Sequence, residues 1–448
     1  MRWRARFDTI RLRLIKLAVR IEAPGTQVRL ADHAVTAHHD SSVVARRLDR
    51  PPADASRVVV HNNRGEREMP AEAFSIRFES VLRDDLRRRL AEARWSDAVT
   101  TDWRYGTDEQ FLKALVRHWG TAYDFDAAEE RLNLLPQARA SIGGFAISYV
   151  RLQGRGPRPR PLLLMNGWPS SFVEYEKLAP QLADPAAFGG SADDAFDVVI
   201  PALPGFGFSD RPTRPDQVKA EALFHSLMTE HLAYPAYIAS GTDIGAGVAT
   251  RLALQHPDAV RGIHISAVVD PPLTAASPPL TEPEKAYGAR IARWEAEEGA
   301  YMHLHNTRPQ TLAFALADTP VGLASWIVEK FHAWSDHGDD LLETFPLDML
   351  IDNLMVYWVT GTIGSSMRSY YDRRHFRSPL RPGDRVGVPT AVCMWPNDLV
   401  VAPREWAERF YDVRQYSMQG HGGHFPGWEA PDAYADDLRR FASALEGR

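Results

Sequence analysis

A chain of 448 residues, at roughly 150 residues per domain, holds material for about three domain equivalents and is no peptide-sized or stapled scaffold. With 44% hydrophobic, 25% charged and 10% aromatic residues, it has the composition of an ordinary globular protein, which excludes disordered, collagenous and low-complexity classes. Lys and Arg number 52 against 58 Asp and Glu, a formal charge of -6, so no global basic field argues for nucleic acid or an anionic membrane as the main partner.

Residues 1–68 are rich in Arg and His, carry Pro51-Pro52 and show little periodicity before Met69. They read as a basic, unstructured extension, and the Arg and Lys scattered through its start separate it from a secretion signal, which needs a continuous apolar core. Segment 69–141 is expected to form a helical lid. Leu82, Leu86 and Leu90 recur at the spacing of one helix face. Trp95, Trp103, Tyr105, Trp119, Tyr123 and Phe125 are too many aromatics for a simple surface, so this piece should pack over something else.

From 142 to 270, short apolar runs of strand length alternate with helix-like stretches: Gly143–Leu152, Pro161–Met165, Asp197–Pro201, Ala236–Ser240 and Gly262–Ser266. The rhythm breaks over the helix-like, aromatic-rich 271–385 and resumes within 386–448, at Thr390–Met394 and Arg414–Met418. Uninterrupted apolar runs between helices are what a parallel sheet buried on both faces writes into sequence. The expected class is therefore α/β: one core in two parts, 142–270 and 386–448, with 271–385 as an inserted helical cap. Cys393 is the only cysteine, which leaves no intramolecular disulfide, Cys-based zinc cage or thiol redox pair and fits a reducing compartment. The charge-free run Asn353–Met367 stops at 15 residues, short of a bilayer span. A cytoplasmic protein without an integral membrane span is expected.

Within this frame, Ala236-Tyr-Ile-Ala-Ser-Gly-Thr-Asp-Ile-Gly-Ala-Gly247 is a strand running through a tight turn into a helix, with Asp243 at the apex. By itself an aspartate there reads as a helix N-cap. Its small neighbours Gly241, Gly245 and Ala246 are also what a nucleophile elbow needs, and a carboxylate at a helix N-terminus stays ionised without a base to activate it. Leu162-Leu-Leu-Met-Asn-Gly-Trp-Pro169 is a strand ending in a turn that could present the Trp168 N–H, with that of Ile244, as an oxyanion hole. The glycine turn after Ile200 lacks a Walker lysine and is no phosphate loop. Farther on, Asp398 stands just past a strand tip in Trp-Pro-Asn-Asp398, and Gly-His-Gly-Gly-His-Phe425 follows the next strand. Asp, acid, His is the chain order of an α/β-hydrolase triad with aspartate in place of serine.

These motifs, with Trp103-x-Tyr-Gly106, Trp119-x-x-x-Tyr-Asp124, Gly-Ala-Tyr-Met302 and Tyr357-Trp-x-Thr-Gly-Thr362, make the chain resemble the microsomal-type and juvenile-hormone-type epoxide hydrolases over roughly residues 72–445. The resemblance implies an α/β-hydrolase fold with a helical cap and an N-terminal lid segment. It further implies Asp243 as nucleophile, His424 and Asp398 as base and charge partner, and Tyr301 and Tyr370 as the epoxide-activating pair. His424 is preferred over His421 by its Gly-Gly-His-Phe context, and Asn166 stands where that family usually has histidine. The expected reaction is detoxifying hydrolysis of a small apolar epoxide by water to a vicinal diol, with no cofactor, no metal and no nucleic acid, and with room for a homodimer. Haloalkane or haloacid dehalogenation by the same aspartate, and ligand binding without turnover, are the alternatives; His303, His305, His421 and His424 lack the Asp/Glu array of a metal site.

Overall fold

The computed structural model describes residues 72–446; the extension expected at 1–68 lies outside them, as do 69–71. The described strands are β1 (Glu72–Phe74), β2 (Gln137–Ile142), β3 (Phe145–Leu152), β4 (Arg160–Met165), β5 (Phe196–Pro201), β6 (Tyr237–Gly241), β7 (Val260–Ile265), β8 (Val386–Met394) and β9 (Tyr411–Met418). They form one sheet in the order β1-β2-β3-β5-β4-β6-β7-β8-β9. β1, β2, β3 and β5 pair antiparallel, and the rest of the sheet is parallel. Leu162 to Leu164 and Val198 to Ile200 are buried, which is why these strands read as unbroken apolar runs rather than alternating ones.

Register sets the site. Met165 lies opposite Gly241 where β4 meets β6, so the loops that follow these strands leave the sheet side by side. Met394 is likewise level with Met418 at the ends of β8 and β9. Four loops thus open at the carboxyl edge of a parallel sheet, where α/β folds bind their ligands.

Helices α1 (Ser80–Ala91), α2 (Glu109–Thr121) and α3 (Phe125–Asn133) precede β2, and α4 (Asp243–Gln255) follows β6. The insertion between β7 and β8 contains α5 (Glu282–Glu297), α6 (Ala300–Thr307), α7 (Pro309–Asp318), α8 (Pro320–Trp334), α9 (Leu347–Thr360) and α10 (Ile363–Phe376); α11 (Pro431–Glu446) closes the chain. Local chemistry sets several of these ends. Thr281 and Glu284 form a reciprocal capping box at α5. Thr319 caps α8, whose first residue is Pro320, and Gly361 ends α9 in the left-handed conformation. No single helix among the described residues is long and apolar enough to cross a membrane.

The segment before β2 clasps the cap. Trp119 is fully buried and its indole N–H points at Met355 Sδ, 3.3 Å away. The Tyr123 hydroxyl donates to Asp352 at 2.5 Å, and Arg131 grips the same carboxylate with two nitrogens at 3.0 and 2.9 Å. Trp103 stacks on His332 with ring centres 4.1 Å apart. Trp95 and Tyr105 do not join this packing: they stay 39% and 80% exposed, and the Lys113 ammonium lies over the Trp95 ring. β1 and β2 also carry this segment into the sheet, where helices alone were expected. A three-residue strand has no periodicity to read, and Gln-Ala-Arg-Ala-Ser-Ile offers little apolar signal.

Candidate active site

Asp243 opens α4 directly after β6, at a φ of 43°, a left-handed backbone that a non-glycine residue adopts only where its surroundings impose it. The surroundings do so by close packing. A Cβ on Gly245 would lie 2.3 Å from the Met165 carbonyl oxygen, so α4 can press against the end of β4 only with glycine there. The Thr242 N–H donates to that same carbonyl at 3.1 Å. Across the gap, a Cβ on Gly167 would fall 2.0 Å from Asp243 Oδ1. The bare backbone at Gly167 lets the Trp168 N–H donate to Asp243 Oδ1 at 2.9 Å. The Ile244 N–H, in the first turn of α4, has no intrahelical acceptor.

His424 sits in the loop after β9, its N–H donating to the Trp334 carbonyl at the end of α8. Its Nδ1 lies 2.8 Å from Asp398 Oδ1, and its Nε2, buried with no hydrogen-bond partner among the described residues, faces Asp243 Oδ2 at 3.8 Å. Burial alone would lower the imidazole pKa; Asp398, with Asp243 and Glu174 beyond it, instead raises it to about 9. His421, three residues earlier, is exposed and stands apart from this chain of contacts.

The cap brings two phenols over the elbow. Tyr301 on α6 stacks on the Trp168 indole with centres 5.3 Å apart, and Tyr370 on α10 meets both rings edge to face, 6.1 Å from Tyr301 and 6.3 Å from Trp168. Burial, then the charge of Asp243, pushes Tyr301 well above an ordinary phenol; burial, then Tyr301 and Asp243, does the same to Tyr370. Both therefore stay protonated, as hydrogen-bond donors. The Tyr370 hydroxyl makes no full hydrogen bond among the described residues. Asp243, His424, Asp398, Trp168, Ile244, Tyr301 and Tyr370 thus converge on one point from both parts of the core and from the cap.

The family model described as "Epoxide hydrolase N terminus" matches residues 71–175 of this chain, and one described as "alpha/beta hydrolase fold" matches 160–311. A relative from Stigmatella aurantiaca is 37% identical over 84% of this chain and 85% of its own. Epoxide hydrolase 1 of Sus scrofa is 31% identical, covering 85% and 92%. The chain belongs to the epoxide hydrolase family. The crystal structure of juvenile hormone epoxide hydrolase from the silkworm Bombyx mori superposes with a TM-score of 0.75 at 28% identity, over 84% of this chain and 95% of that one.

Other features of this epoxide hydrolase centre were not read from sequence. Glu174, buried, and Glu429, half-buried, are carboxylic acids that brace the loops. Glu174 accepts from Ser170 Oγ at 2.6 Å, and Ser170 in turn receives the Asn166 amide at 3.1 Å, so the asparagine at the usual histidine position anchors the Gly167-Trp168 turn through a serine. Glu429 accepts the N–H groups of Phe425 and Asp336, each at 2.6 Å, holding the His424 loop against the cap. Burial raises both acids to about 7. One signal was available: each is the only acidic residue in an aromatic stretch without Lys or Arg, 166–175 and 422–430. His305, packed edge to face on Trp168 and Tyr301, is held neutral, near 3, by burial and by the charges of Lys330 and Arg373. It packs against the aromatic rings beside Asp243. The metal-like grouping among the described residues, His264, Cys393 and Asp437, is a buried core network away from these histidines, with His264 Nε2 3.0 Å from Asp437 Oδ2.

Proposed function

We propose that this chain hydrolyses an apolar epoxide to a vicinal diol through an alkyl ester on Asp243. One arrangement carries the reading: a carboxylate at a strained elbow, two protonated phenols facing it from the cap, and an imidazole nitrogen left unpaired 3.8 Å from its oxygen. An epoxide has no carbonyl to add to, so its carbon must be displaced by a nucleophile already ionised, and Asp243 is such a group. The ring oxygen leaves as a strongly basic alkoxide, and Tyr301 or Tyr370 protonates it while the other donates a hydrogen bond. The 3.8 Å between His424 and Asp243 is too long for a direct hydrogen bond and leaves His424 to activate a water that attacks the ester carbonyl. The Trp168 and Ile244 N–H groups then hold the oxyanion, and Asp398 stabilises the imidazolium. Detoxification of foreign epoxides in the cytoplasm is the physiological setting we propose.

Halide displacement is the second reading. The indole N–H groups of Trp168 and Trp334 are buried and unpaired beside the site and could stabilise a leaving halide, but paired phenols have no task in that reaction. Incubation with styrene oxide and with a chloroalkane separates the readings. Diol from the first and no chloride from the second is expected; chloride release with no diol, or binding without turnover of either, would overturn the proposal.

A further inference from the structure

A cavity of about 1100 Å³ opens beside the catalytic centre, between α4, the loop after β5 and cap helices α7 and α10. Its inner wall is apolar: Leu203, Phe206, Ile244 and Val248 line it, and Ile244 directly follows the proposed nucleophile. Its outer wall is not. Seven cationic side chains line it against three carboxylates, and one of those carboxylates, Asp216, is already paired with Lys219. Arg373 lies over the Tyr370 ring, 4.6 Å from its centre, and has no carboxylate or hydrogen-bond partner among the described residues. Arg377 is half-buried, and its one hydrogen bond among the described residues is a marginal 3.5 Å approach to the Gly247 carbonyl. Glu221 is the acid that acts on it from nearby, without forming an ion pair, while Arg251 and Arg373 oppose its charge.

A pair of guanidinium groups sunk into a pocket with no carboxylate in ion-pair contact is costly unless something else neutralises them. From Asp243 to Gly247 is about 6 Å along α4, so these groups lie a short chain away from the reacting carbon. We propose that Arg373 and Arg377 bind a carboxylate at the far end of the substrate, so that the preferred substrate is an epoxide on an apolar chain that ends in a carboxylic acid. The assignment rests on the epoxide hydrolase reading and specifies which epoxide the site prefers. Guanidinium suits it through its fork of donors, which matches a carboxylate's two oxygens.

The test compares 10,11-epoxyundecanoic acid with its methyl ester, which differ only in the charge of the distant end. Wild-type protein should hydrolyse the acid with a kcat/KM about tenfold above the ester, mostly through KM, and raising salt from about 0.05 to about 0.5 M should shrink that ratio. In Arg377→Gln the ratio should fall towards one, and Arg377→Lys should restore part of it. Because each protein supplies its own ratio, partial loss of folded material does not disturb the reading. Equal kcat/KM for acid and ester in the wild type, or a ratio indifferent to salt and to Arg377→Gln, would overturn the carboxylate assignment alone. No diol from acid, ester or styrene oxide would overturn the hydrolase reading, and this assignment with it.

Discussion

The imidazole of His424 is raised to about 9 partly because Asp243 is ionised beside it. Esterification of Asp243 would remove that charge, so the imidazole becomes easier to deprotonate at the stage when it must act as a base. Asp243→Asn imitates the uncharged state. In that variant the His424 pKa, followed by NMR titration of its ring protons, should fall below the wild-type value; an unchanged pKa would show that Asp243 does not tune the base. The phenols have a separable task in the proposed reaction. Removing one of two donors to the same oxygen, as in Tyr301→Phe or Tyr370→Phe, should cost about 2 to 4 kcal/mol of alkylation barrier. Removing both should nearly abolish alkylation in rapid-mixing experiments, and near-wild-type alkylation in the double variant would exclude the pair as acids. The meeting of Asp243, His424 and Asp398 at one place was legible in sequence because elbow, strand tip and Gly-Gly-His-Phe each have local signatures. The bracing by Glu174 and Glu429 was not, since what makes these acids unusual is burial by residues distant in the chain.

At the scale of elements, two loops held level by the register of β4 and β6 bring Gly167 against Asp243. Gly167→Ala would place a methyl group 2.0 Å from Asp243 Oδ1, displacing either the carboxylate or the Trp168 N–H. A shift of about 1 Å in either should lower kcat/KM about 100-fold, with the far-UV spectrum unchanged; retention of wild-type kcat/KM would mean that the turn is looser than its geometry indicates. The parallel strands were legible because burial on both faces leaves apolar runs, and the cap because it interrupts them. β1 and β2 were not: their place in the sheet comes from β2 pairing with β3 and β1 with β2, partners that no local pattern in 72–74 or 137–142 announces.

At the scale of the molecule, the proposed reaction draws its nucleophile from the core and its acids from the cap, so the two must be held in register. The clasp of Tyr123 and Arg131 on Asp352 ties the segment before β2 to α9. Arg131→Met leaves a carboxylate that is 2% exposed without its cation. Because Arg131 itself is 34% exposed, the loss should be about 2 kcal/mol rather than that of a fully buried pair, a fall in Tm of roughly 2 to 3 °C; an unchanged Tm would show that the clasp contributes nothing. Core and cap together are required for the proposed covalent intermediate, formed by Asp243 with help from the phenols and broken by His424. His424→Ala keeps the first set of groups and loses the second. Mixed with styrene oxide and digested, it should yield the peptide containing Asp243 heavier by one epoxide, with diol release suppressed and with no adduct in Asp243→Ala. Recovery of that peptide unmodified, from folded His424→Ala protein, would contradict the covalent mechanism.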